Sequence, residues 1–317
     1  MLLRATLLGL AAVIALGTVA TGLRLSARVK AGEAAYPPEG RFVTVEGRRI
    51  HAVVSGEGPD VVLIHGSSGN TRDMTFRLAP ILARTYRVIA FDRPGLGYSD
   101  RLQGKEGIEA QARVLQAAAA QLGAEKPIVL GQSYGGAVAL AWAARHPASL
   151  SALVAVSSPS QRWEGDLPAL YRLTSHPLGS ALAVPLISAW VPPDYVAQQI
   201  RGVFGPQEMP PGYAEAIGAP LITRPESLRA NAAQRATLKQ EITALQPHYA
   251  TITVPLEIVH GTADTTVPFE IHAEPLARQA PTAHLMALPG IGHIPQNVAP
   301  EAVAEAVDRA ARRAGLN

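Results

Sequence analysis

Cysteine is absent from all 317 residues. That excludes a disulfide framework, a thiolate nucleophile and a zinc site built on cysteine, whatever compartment holds the protein. A strong charge of either sign is missing too. The 28 Lys and Arg against 25 Asp and Glu leave a formal +3 with no basic run in the body, so no nucleic acid or acidic polymer is indicated as a partner. No internal repeat and no low-complexity tract beyond richness in alanine is present, which removes solenoid and array architectures. What the chain has in quantity is apolar residues, 48% of the total, enough over this length for a sizeable core and too many for disorder.

The long charge-free stretch lies at the N-terminus. The segment ATLLGLAAVIALGTVATGL, residues 5–23, carries no charge, and as a helix it spans roughly 28 Å, close to the thickness of a hydrocarbon core. Arg4 precedes it, and Arg24, Arg28 and Lys30 follow. The best cleavage candidate, TVA ending at Ala20, matches the small-x-small pattern poorly, so residues 1–30 read as an uncleaved anchor in the lipid bilayer rather than a signal peptide. The basic residues behind the span draw the body toward the cytoplasm, whereas the basic-then-apolar order favours export. The reading adopted is a single-pass inner-membrane protein with its body on the extracytoplasmic side. Residues 31–40, with Pro37, Pro38 and Gly40, read as a short tether.

From residue 41 the pattern changes. RFVTVEGRRIHAVVSG alternates as a hairpin turning at Glu46 and Gly47. DVVLIHG, YRVIAFD, PIVLG and LSALVAVSS are the continuous apolar runs that strands buried on both faces require. Helical patterns over residues 72–83, over 108–122 and after Ser133 separate them; in the second, Ile108, Ala112, Leu115, Ala119 and Leu122 recur at helical spacing. Strand and helix in this alternation predict a doubly wound α/β core with a mostly parallel sheet. The rhythm fails over residues 159–250, where ten prolines from Pro168 to Pro225 cut the chain into short helical pieces, and this stretch reads as a helical cap or lid. Strand signals return in PLEIVHG and AHLMALPG before a closing alanine-rich helix. The core is thus expected in two parts, residues 41–158 and 251–317.

One serine sits among three glycines in GQSYGG, residues 131–136, between the strand PIVLG and the helical stretch YGGAVALAWAARH. At a sharp strand-to-helix turn the serine backbone is strained, and Gly131 and Gly135 avoid clashes that a Cβ would cause; Gly136 serves close packing of helix on strand. Ser133 then stands at the carboxyl edge of the sheet, above the N-terminus of a helix. A serine hydroxyl needs a base, and the base an orienting group. Asp264 follows the strand PLEIVHG and His293 lies in the loop after the next strand, so Ser133, Asp264, His293 is the chain order that a nucleophile, acid and base on separate loops of one sheet edge would have. Taken singly, Asp264 could be a turn or cap residue and His293 one histidine among nine. Donors for a tetrahedral oxyanion are expected from the backbone N–H groups of Tyr134 and Ser67. Asn70 reads as a helix cap and His65 as a structural brace of the HGSSGN loop.

HGSSG, FDRPGLGYSD, GQSYGG, GTADTTVP and GIGHIPQ together resemble the successive signatures of the α/β-hydrolase fold family, in its esterase, epoxide hydrolase and C–C hydrolase branch, from residue 41 to the C-terminus. The resemblance implies Ser133 as nucleophile, His293 as base, Asp264 as its orienter, Ser67 and Tyr134 as oxyanion donors, and a helical cap between the sixth and seventh core strands. It also implies a structural role for DRPGLGYS, with Asp92 and Arg93 shaping the rim. Haloalkane dehalogenases and epoxide hydrolases place a carboxylate where this chain has Ser133, which disfavours both activities. The expectation is a serine hydrolase acting on a small-molecule ester or other acyl substrate, with no metal or dissociable cofactor. C–C bond hydrolysis, or cofactor-free haloperoxidase or perhydrolase chemistry, is an alternative on the same residues, and a non-catalytic binding protein of this fold a further one.

Overall fold

In the computed structural model, which describes residues 2–104 and 106–316, the apolar runs pair into one eight-stranded sheet. Its strands are β1 (Arg41–Val45), β2 (Arg48–Ser55), β3 (Asp60–Ile64), β4 (Arg87–Phe91), β5 (Ile128–Gln132), β6 (Ala152–Val156), β7 (Leu256–Gly261) and β8 (Ala283–Leu288), in the order β1-β2-β4-β3-β5-β6-β7-β8. β2 runs antiparallel to both neighbours, and every other pairing is parallel. The hairpin turns at Glu46 and Gly47, both at positive φ (51° and 72°), the turn whose twist matches that of the strands it joins.

A long helix, α1 (Leu2–Ala35), precedes the sheet. α2 (Thr71–Thr75) and α3 (Leu78–Leu82) follow β3, α4 (Ile108–Gln121) follows β4, and α5 (Tyr134–Arg145) follows β5. The single helix expected over residues 72–83 is two, because Arg77 leaves helical geometry at φ −127°. Asn70 does cap the first, its Oδ1 accepting the Arg72 N–H at 2.9 Å. Between β6 and β7 the described chain is helical or irregular, with α6 (Ala169–Ser175), α7 (Pro177–Trp190), α8 (Pro193–Val203), α9 (Tyr213–Ala216), α10 (Ala219–Ile222) and α11 (Pro225–Leu245). Pro177, Pro193, Pro220 and Pro225 sit in the first turns of their helices, where a missing N–H is no loss. α12 (Phe269–Gln279) joins β7 to β8, and α13 (Pro295–Val298) and α14 (Pro300–Arg313) close the fold.

Strand residues alternate between two cores. Ile64, Ile89, Val129, Leu153 and Ile258 face α4, α5 and α12, while Leu63, Val88, Leu130, Val154 and Val259 face α3 and α14. Burial on both faces is what makes the central runs continuously apolar.

α1 runs beyond residues 1–30, the bounds read for the anchor segment. The helix continues through residues 31–35, where a Pro-Gly tether was read, because its second half docks on the helical insert. Arg24 Nε donates to the Ala189 carbonyl at 2.8 Å, and Arg28 Nη1 donates to the Ala189 and Val191 carbonyls at 2.9 Å each. Gly32 is buried against Pro220, and Glu33 pairs with Arg224 at 2.8 Å. Residues 3–20 of the same helix are exposed on every side. By length and composition the helix can cross a membrane, a property that anchors and signal sequences share.

Candidate active site

β5 ends at Gln132 and α5 begins at Tyr134, so the whole change of direction falls on Ser133, at φ 52° and ψ −120°. A non-glycine residue held there stores about 1–3 kcal/mol of strain. The surroundings hold it in place: Ser133 N donates to the Val156 carbonyl at 2.9 Å, and its own carbonyl accepts from Gly136 N at 2.8 Å. A Cβ on Gly131 would overlap the Gly135 carbonyl, one on Gly135 the carbonyls of Ile64 and His65, and one on Gly136 the Ser158 hydroxyl. The three glycines are therefore what lets strand, helix and neighbouring loop approach closely enough to aim the hydroxyl.

The loops after β7 and β8 bring Asp264 and His293 to the same edge. His293 Nε2 lies 2.9 Å from Ser133 Oγ, and its Nδ1 lies 2.7 Å from Asp264 Oδ2. With Nδ1–H donating to the carboxylate, Nε2 presents its lone pair to the serine hydroxyl. Burial alone would raise the Asp264 carboxyl; hydrogen bonds from His260 and His293, the His293 charge and the Val267 N–H together hold it well below the ordinary carboxylate range. Asp264 Oδ1 also accepts from the Thr266 and Val267 amides, both at 2.9 Å. All three side chains are buried, and charges in such surroundings interact more strongly than in water. Gln132, whose importance the sequence did not reveal, ties elbow to base by donating from Nε2 to the His293 carbonyl at 3.0 Å. Gln207 of the insert grips the His293 loop, accepting from Gly292 N at 2.8 Å and donating to the Gly290 carbonyl at 2.7 Å.

The Tyr134 N–H stands at the first position of α5, where the helix supplies no acceptor. The loop carrying Ser67 packs on the elbow: a Cβ on Gly66 would lie 3.2 Å from Ser133 Cβ. His65 braces that loop, donating from Nδ1 to the Gly66 carbonyl and accepting the Arg93 N–H at Nε2, both at 2.9 Å. Burial, followed by the Arg93 charge, lowers His65 to about 3, so it is neutral and no rival base. Ser68 N and Oγ are both held by Asn231 of α11, at 3.0 and 2.8 Å.

Asp92 and Arg93, read from the sequence as shaping the rim, are instead fully buried behind this loop. Arg93 donates to the carbonyls of His65 (2.9 Å) and Gly66 (3.0 Å) and to the side chains of Gln111 (2.9 Å) and Gln234 (2.7 Å). Its guanidinium lies 4.2 Å from the centroid of the Tyr134 ring. Burial lowers it to about 10, which leaves it charged at neutral pH. One cation thus underlies both the His65–Gly66 segment and Tyr134. Asp92 accepts from His51 Nδ1 and Thr71 N at 2.7 Å and from Tyr98 N at 2.8 Å. A further buried carboxylate, Asp73, receives the Tyr213 hydroxyl of the insert at 2.6 Å and Asn297 Nδ2 at 2.8 Å. No motif marked it, since its partners lie 140 and 224 positions away.

A family model of the alpha/beta hydrolase fold matches residues 59–300. An uncharacterized protein of Mycobacterium tuberculosis is 30% identical over 292 residues, covering 86% of this chain and 81% of that protein. Among solved structures, an alpha/beta hydrolase fold protein from Burkholderia ambifaria is 27% identical and superposes with a TM-score of 0.70 over 84% of this chain and 96% of its own. A membrane phospholipase A described as a bacterial virulence factor, 22% identical, shares the fold with a TM-score of 0.65 over 99% of this chain and 100% of its own, a span that takes in the N-terminal helix. Since the family match runs from the start of β3 to the start of α14 and the relatives align with the whole body, the chain belongs to the α/β-hydrolase fold family.

Proposed function

We propose that this protein is a serine hydrolase that cleaves a small-to-medium carboxylic ester, or a related acyl bond, through an acyl-enzyme on Ser133, in a body held at a membrane by α1. The observation that carries the reading is the unbroken line of hydrogen bonds from Ser133 Oγ through His293 to Asp264. Ser133 Oγ attacks the carbonyl carbon while its proton passes to His293 Nε2, and the ionised Asp264 stabilises the imidazolium so formed. The tetrahedral oxygen takes the N–H groups of Tyr134 and Ser67, with the buried Arg93 charge behind them. His293 then returns the proton to the departing alkoxide and the C–O bond breaks. Water, deprotonated by the same imidazole, attacks the acyl carbon; the acid leaves, and Ser133 regains its hydrogen. C–C bond cleavage or perhydrolysis would use the same three residues, and no feature of the site favours either. Extracytoplasmic placement of the body rests on the basic-then-apolar order of the N-terminus.

The test is a p-nitrophenyl ester series from acetate to palmitate, with fluorophosphonate labelling, on the full chain and on Ser133→Ala. Turnover and labelling in the parent, with kcat lower by about 10⁴–10⁶ and no label in the variant, are the expected result. A folded parent that neither turns over nor takes the label rules the proposal out.

A further inference from the structure

α7 carries no charged residue from Pro177 to Trp190. Gly179 is buried at its start against the Leu173 carbonyl and Ala189 at its end, where Arg24 and Arg28 reach its carbonyl; between them Val184 and Ser188 are buried on one side of the helix. On the opposite side Leu178, Leu182, Leu186 and Trp190 recur every fourth position and are 68%, 70%, 53% and 49% exposed. Leu170 and Leu173 of α6, which packs against α7, are exposed as well. Of the ten large apolar side chains exposed outside α1 among the described residues, these are six. A lone exposed leucine is ordinary, but five leucines and a tryptophan on two adjoining helices form a patch of the kind that marks a contact surface.

The position of the patch says what covers it. α1 is exposed over residues 3–20 and uncharged over residues 5–23, and at Thr21 its Oγ1 accepts the Trp190 indole N–H at 3.1 Å. Arg24 stacks over the same indole at 4.7 Å, and Arg24 and Arg28 cap the last carbonyls of α7. A tryptophan between an apolar helix and a pair of arginines is the arrangement of a membrane–water boundary, where amphipathic rings and basic groups gather. The leucine face thus starts at the level at which α1 leaves its charge-free stretch, and it runs for about 18 Å along α7.

We infer that the leucine face of α6 and α7 is a second membrane-contact surface, seated in the interfacial layer of the bilayer from which α1 emerges. The inference rests on the reading of α1 as an anchor and is independent of the chemistry at Ser133. It makes the helical insert the lipid-facing side of the molecule and the amino edge of the sheet the side away from it.

Because the chain has no cysteine, a single introduced thiol is a unique reporter. Full-length Leu182→Cys, Leu10→Cys and Glu125→Cys, each labelled with nitrobenzoxadiazole, are placed in phosphatidylcholine–phosphatidylglycerol vesicles with or without brominated acyl chains. Glu125 lies at the amino edge of the sheet, before β5. The expected result is blue-shifted emission that brominated lipid quenches at positions 10 and 182, and wet, unquenched emission at 125. Quenching at 10 with a wet probe at 182 overturns the inference and leaves the anchor standing. A dry probe at 182 that brominated lipid does not quench also overturns it, because a second copy or another protein then covers the face. An unquenched probe at 10 overturns the anchor reading and this inference together.

Discussion

Asp264 accepts from two backbone amides as well as from His293, so its ionisation is secured by the fold and not by the base alone. Asp264→Asn keeps the shape but cannot hold the tautomer in which Nε2 accepts from serine, and kcat is expected to fall about 10⁴-fold. The same substitution has a signed effect on stability. The folded carboxyl lies below its unfolded value near 3.9, so its contribution is complete above that pH and disappears as pH falls toward the folded value. Urea midpoints of parent and Asp264→Asn should differ by a constant amount from pH 7 to 5 and converge in stronger acid. His65 and His272 work in the same pH direction for another reason. Burial lowers them to about 3 and about 4, so below pH 6.5 the unfolded chain gains protons that the folded chain refuses. Stability should fall by about 1.4 kcal/mol per pH unit for each of them. In His272→Gln, which keeps an acceptor for Ser160 N and Gln161 N, the slope between pH 6 and 4 should lessen by that amount; an unchanged slope would mean that His272 already titrates normally.

Among the elements, the strand-to-helix turn at Ser133 leaves least room. Gly135→Ala pushes a methyl into the carbonyls of Ile64, at the end of β3, and His65, and a loss of about 3 kcal/mol is expected by chemical denaturation. Arg93→Lys is not conservative, since a single ammonium cannot satisfy four acceptors spread over the loop after β3, α4 and α11, and it should cost about 3 kcal/mol as well. These two cases mark where sequence reading works. The turn was legible because its requirements are local: a buried strand, small residues at fixed offsets and a helix within a few positions. Ser133, Asp264 and His293 were each legible as side chains just beyond strand ends, and the fold brings them into one hydrogen-bonded line. Asn70 was legible for the same local reason, because a cap acts over two residues. Arg93 was misplaced at the rim because an isolated arginine in a glycine-rich loop looks exposed. Its acceptor Gln234 stands 141 positions away in the insert, and no spacing rule reaches that far.

For the molecule as a whole, the boundary between helix and body is the feature that composition concealed. Pro37, Pro38 and Gly40 resemble a tether, but Arg24, Arg28, Gly32 and Glu33 commit the preceding turns of α1 to the insert. Deleting residues 2–20 removes, among the described side chains, only exposed ones, and Tm should stay within about 2 °C. Deleting residues 2–35 removes the arginine caps of α7 and the Glu33–Arg224 pair, roughly 2–3 kcal/mol, and Tm should drop by about 5–10 °C. Equal melting of the two would mean that α1 is only loosely attached. With α1 as the proposed anchor, such docking would set how the protein sits in a bilayer. No joint separates span from body, so the body cannot swing as on a leash and turns only with its helix, at a rate set by the viscosity of lipid rather than of water. Every copy then shows the same side to the membrane, and the height of Ser133 above it is a fixed dimension of the molecule rather than an average over the reach of a chain.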